Sequence, residues 1–154
     1  MNINTNFLNP NIMGSFFYIP CMECNHAILS MKSRANGFIS INNSKIEFNN
    51  DIGYIEKDWG ISFPKSYVWC QGNDFSNENV SFMISIADIS FKLFHFREII
   101  CTLILDGHEY RFATYNNAKL VEYEIDDGLL NITLKKDNKI IFSDISKNCG
   151  LENV

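Results

Sequence analysis

No apolar run in the 154 residues approaches the roughly 20 that a helix needs to cross a bilayer. The opening stretch, "MNINTNFLNPNIMGSFFYIP", has neither the basic start nor the unbroken apolar centre of a secretory signal. The sequence therefore predicts a cytoplasmic protein in a reducing compartment. No basic cluster exceeds the pair Lys135-Lys136, and the net charge is −5. Without a positive patch the chain is poorly equipped to bind nucleic acid.

The five cysteines are an odd number, which does not suit a fully paired disulfide framework. Cys21 and Cys24 form a C-x-x-C, but it leads into "HAILSM", which reads as a strand, whereas a redox pair would open a helix. Zinc would need two more ligands, and only His26 is near. Ordinary packing is the expectation, with no metal site. The nucleophile elbow G-x-S-x-G, the phosphate loop and the dinucleotide fingerprint are all absent. So are internal repeats, a linker, a charge run and a long amphipathic helix.

What remains is rich in apolar and aromatic residues: 46% hydrophobic, 14% aromatic, 13 Phe. Such a chain can bury a real core in one domain. Short alternating runs recur about every ten residues, with turn residues between them, which suits a sandwich or barrel. The runs are His26–Met31, Gly37–Ile41, Lys45–Phe48, Gly53–Trp59, Tyr67–Gly72, Val80–Asp88, Glu98–Leu105, Glu109–Thr114, Lys119–Ile125, Leu129–Lys135 and Lys139–Phe142. Asn42-Asn43, Asp106-Gly107, "EIDDGLL" and "KKDNKI" are hairpin signals. "SFKLFHFREII" reads as a loop entering a strand. The predicted fold is all-β and antiparallel, a barrel or strongly curved sheet with little helix.

Against this background "GYIEKDWGISFPKSYVWCQGN", Gly53 to Asn73, is unusual. Alternation puts Tyr54, Glu56 and Asp58 on one face and Ile55, Lys57 and Trp59 on the other. Tyr67, Trp69, Gln71 and Asn73 share a face of the next run. If the two runs pair, they build a semi-polar wall bearing two carboxylates. The ordinary arrangement is the alternative: acids in water, Lys57 at a rim, tryptophans in a core. Glu23 and His26, three residues apart, suit either a local hydrogen bond or a catalytic pair. His95 and His108 are scattered, and His108 follows a turn.

These residues resemble the tocopherol cyclase family. "MECNHAILSM", G-Y-x-E-K-[ND]-W-G-x-x-F-P followed by W-x-Q-x-N, and "LDGHEYRFATYNNAKL" carry the likeness. It extends from about Asn11 onward and falls mainly on the second of the family's two lipocalin-like halves. The resemblance implies an N-terminal extension over 1–20 and one shortened lipocalin-like barrel over 21–154. It also implies a possible homodimer or a partner chain supplying the other half. The implied activity is acid-catalysed, cofactor-free closure of a prenylated quinol, or a related isoprenoid alkene, to a chromanol. Alternatives are a non-enzymatic binder of a hydrophobic small molecule and a partial domain that needs a partner. In the cyclase, Asp58 would be the acid and Glu56 the second carboxylate. Trp59 and Trp69 would face the cation, Gln71 and Asn73 would orient the quinol oxygens, and Tyr54, Glu23 and His26 would complete the lining.

Overall fold

The computed structural model describes residues 1–7, 10–20, 22–77, 79–91, 94–126 and 129–146. They form nine strands: β1 Cys24–Ile41, β2 Ser44–Gly60, β3 Tyr67–Gly72, β4 Val80–Phe91, β5 Phe94–Leu105, β6 His108–Ala113, β7 Lys119–Asp126, β8 Leu129–Lys136 and β9 Lys139–Ser146. Helix is limited to the short 3₁₀ turns Gly14–Tyr18 and Thr114–Asn116. The all-β, antiparallel expectation holds. The strands make three sheets, β1-β2, β3-β4-β5-β6 and β7-β8-β9, and none closes into a barrel.

The turns follow their chemistry. Asn42 and Asn43 have φ of 47° and 68°, and Asp106 and Gly107 have 49° and 80°. Positive φ at both central residues matches the right-handed twist of the flanking strands. The Asp127-Gly128 signal lies outside the described residues, as do Cys21 and Cys149.

Three expectations are corrected. The first four predicted runs fuse into two long strands, because the bulges between Ile28 and Ser30, Ser30 and Ser33, and Ala35 and Asn36 bend the hairpin without ending it. Within "SFKLFHFREII", Ser90 pairs with His95 and Phe91 with Phe94, so both flanks are strand, while residues 92–93 lie outside the described residues. Last, β2 does not pair with β3: β2 lies on β1, and β3 lies on β4.

The four-stranded sheet is central and covered on both faces, which is why β4 and β5 read as nearly continuous apolar runs. One face carries Cys70, Phe82, Ile84, Ile86, Ile99, Cys101 and Phe112 against Leu130, Ile132 and Leu134 of β8. On the other, Met83, Ala87, Ile89, Ile100 and Ile104 meet Ile28 and Met31 of β1. Ile3, Ile12 and Met13, from the stretch set apart as an extension, join this second core. Arg111 ties that stretch down by donating to the carbonyls of Asn4 at 3.0 Å and Asn11 at 3.2 Å, and Tyr115 donates to Ile12 at 2.8 Å.

Candidate active site

The base of the β1-β2 hairpin crosses the second face of the central sheet. Gly60, which pairs with Cys24, lets the two strands close at this base: a Cβ there would collide with the Glu23 carbonyl. Beneath this base lies a cavity of about 410 Å³, within the usual size range of small-molecule sites. Its wall includes His26, Glu56, Asp58, Trp69, Ile100 and Glu98.

Register explains the polar side. His26 pairs with Asp58, and Ile28 with Glu56. The Nδ1 of His26 sits 2.5 Å from Asp58 Oδ1, and its Nε2 is 3.6 Å from Glu56 Oε2. Glu56 Oε2 accepts from the Tyr54 hydroxyl at 2.6 Å and from Trp69 Nε1 at 3.2 Å. The rings of Tyr54 and Trp69 are 6.3 Å apart. The wall expected from pairing of β2 with β3 does not form; Glu56, Asp58 and Trp69 meet instead across two sheets, without Gln71 and Asn73. Burial, with Glu56 beside it, pushes the Tyr54 phenol well up, so it remains a donor.

The other named residues take different places. Trp59 lies on the outer face, with Lys57 Nζ 5.4 Å from its ring centre, so Lys57 does not approach Asp58. Gln71 and Asn73 line a separate, larger groove of about 1140 Å³, together with Tyr54, Phe75, Phe82, Leu103 and Phe142. Asn73 accepts there from the Ser81 hydroxyl. Glu23 accepts from the Ser62 hydroxyl at 2.8 Å and from the Ser90 amide at 3.4 Å, bracing the β2-β3 connection.

One residue was missed. Glu98 opens the buried part of β5, pairs with Ala87, is only 6% exposed and lines the cavity. Burial raises its carboxyl to about 7, with His26 opposing the shift. The sequence signal was a single acid on the Glu98, Ile100, Thr102, Ile104 face, where its neighbours are apolar or small. Cys24 also lines the cavity, where burial and then the charges of Asp58, Glu98 and Glu23 raise its thiol. That keeps the thiol protonated and a poor nucleophile. Among the described residues no group of three or more His, Cys, Asp and Glu has an arrangement that could hold a metal ion.

An all-β protein with an acid-lined cavity that also carries aromatic side chains is the class that fold and site define. The tocopherol cyclase-like family model matches residues 5–127, and the chain belongs to that family. It is also 35% identical over 57 residues to the "Probable tocopherol cyclase, chloroplastic" of Oryza sativa subsp. japonica. That match covers 37% of this chain and only 12% of the rice protein. No solved structure matches. No helix among the described residues is long and apolar enough to cross a membrane.

Proposed function

We propose that the protein closes the ring of a prenylated quinol, or a related isoprenoid alkene, by acid catalysis without a cofactor. The observation that carries this reading is the composition of the cavity wall. Carboxyl groups, an imidazole and the ring of Trp69 converge on one space whose remaining lining includes Met13, Phe63, Val68, Ile89 and Ile100. Protonating an alkene needs a carboxylic acid that keeps its proton near neutrality, which an apolar wall provides. The tertiary cation that follows needs an aromatic face, worth roughly 0.5–2 kcal/mol; Trp69 lines the cavity. The Tyr54-Glu56-Trp69 network fixes the ring of Trp69 and offers the quinol hydroxyl a polar edge. The larger groove, which Tyr54 lines, would take the isoprenoid tail. We place the protein in the cytoplasm, on its odd cysteine count and the unbridged thiol of Cys24. Incubation with a short-chain prenylated quinol, followed by chromatography and mass spectrometry, tests the reading. Appearance of the chromanol supports it, and binding without conversion leaves a hydrophobic-ligand carrier in its place.

A second reading, association with another copy or with a partner chain, is favoured by exposed apolar residues. Phe38, Ile41 and Ile46 on the distal β1-β2 hairpin and Phe142 on β9 are half or more exposed, and contiguous exposed apolar surface marks contact sites. Sedimentation at high concentration is expected to show a dimer; a clean monomer would contradict self-association.

A further inference from the structure

Among the described residues, two buried side-chain polar atoms have no hydrogen-bond partner: His26 Nε2 and Glu98 Oε1. Both residues line the 410 Å³ cavity. Buried polar atoms are normally satisfied, so two orphans around one cavity mark where the reacting atoms of a ligand belong. We propose that Glu98 is the proton donor of this cavity and His26 its proton acceptor, with Asp58 as the residue that positions the imidazole. The proposal rests on the cyclase reading and assigns its acid and base.

Geometry separates the three carboxyls. Asp58 is engaged by His26 Nδ1, and Glu56 Oε2 is engaged by Tyr54 and Trp69. Their side chains are also 30% and 23% exposed. Glu98 is nearly fully buried, and Ala87, Ile89 and Ile100 share its stretch of the wall. The groups around it are His26 and Cys24 on β1, Glu56 and Asp58 on β2, Ser85 on β4, and Tyr115, whose phenol feels its charge. Of these only His26, when it carries a second proton, favours ionisation of Glu98. Burial therefore favours the protonated form of Glu98, whose carboxyl is raised to about 7.

Contact with Asp58 fixes the tautomer of His26. A carboxylate only accepts, so Nδ1 carries the hydrogen and Nε2 keeps its lone pair in the neutral ring. In the forward step the alkene π pair takes the proton of Glu98, leaving a carboxylate and a tertiary carbocation. A lone pair of the quinol oxygen forms the new C–O bond. The O–H bonding pair stays on that oxygen, and its proton passes to His26 Nε2. Transfer of this proton from His26 back to Glu98 restores both groups, so the reaction is an isomerisation with no net proton change.

The test uses the full chain, a short-chain prenylated quinol, and the variants Glu98→Gln, Glu98→Asp and Glu56→Gln. Turnover of Glu98→Gln is expected to fall by at least about 10²-fold, with quinol affinity changed only a few-fold. Glu98→Asp, which keeps an acid on a shorter arm, is expected to retain part of the rate. Infrared difference spectra should show a protonated carboxyl band that titrates near neutral pH in the wild type. That band should persist in Glu56→Gln and vanish in Glu98→Gln. A wild type without this band, or a Glu98→Gln variant turning over within about threefold of it, overturns the assignment. Failure of the cyclase reading looks different: the wild type binds the quinol and shows the band but makes no chromanol, and the donor role falls with it.

Discussion

His26 and Asp58 stand opposite each other on β1 and β2, and the imidazole Nδ1 of one lies 2.5 Å from the carboxylate Oδ1 of the other. A cross-strand pair on one face brings such side chains into contact without help from any loop. The relationship fixes the ring of His26, whose Nε2 is buried, lacks a hydrogen-bond partner and lies 3.6 Å from Glu56 Oε2. If Asp58 acts through His26, Asp58→Asn should lower kcat by roughly 10²-fold while leaving KM within a few-fold. Steady-state kinetics over pH 5–9 check this, and an unchanged kcat would contradict the positioning role.

Glu98 ties the site to stability. Its carboxyl is raised to about 7 from an ordinary 4.5. Below about 4.5 both folded and unfolded chains hold this proton, so Glu98 adds no pH dependence there. Between 4.5 and 7 the unfolded chain has lost the proton and the folded chain keeps it, so stability falls as pH rises, and it levels off above 7. The full effect is roughly 3 kcal/mol at most. Urea denaturation is expected to show the wild type losing stability from pH 5 to 8. Glu98→Gln should lose less and be the more stable protein at pH 8. Equal slopes for the two proteins would contradict the buried state of this carboxyl.

The two tryptophans should report differently on a ligand. Trp69 lines the cavity and donates to Glu56, whereas Trp59 faces outward beneath Lys57. Binding of a prenylated quinol should quench fluorescence in wild type and Trp59→Phe alike. Trp69→Phe should lose most of the change. Quenching that survives in Trp69→Phe would place the ligand elsewhere.

Much of this architecture was legible in the residues. Alternation placed Tyr54, Glu56 and Asp58 on one face, and they do share the cavity side of β2. Asn42-Asn43 and Asp106-Gly107 named their hairpins because positive φ leaves few residue choices. Long-range placement was less legible. That β2 does not also pair with β3 depends on which surfaces bury together, and local pattern does not encode that. Gln71 and Asn73 continue the Trp69 alternation, yet β3 carries them past the cavity into the larger groove. Glu98 is the first residue of the run Glu98–Leu105, and its burial arises when β1 and the Ile12-Met13 segment cover that face of the central sheet.

The most direct measurement of the central claim is cyclisation in heavy water. A prenylated quinol is incubated with the wild type in D₂O, and the chromanol is analysed by mass spectrometry and NMR against an enzyme-free control. Proton delivery from an exchangeable acid in the cavity predicts a chromanol carrying one deuterium on the carbon next to the newly oxygenated centre. It also predicts that formation slows as pD rises through the titration of Glu98. No chromanol above the control, or a chromanol without carbon-bound deuterium, would contradict acid-catalysed ring closure by this protein.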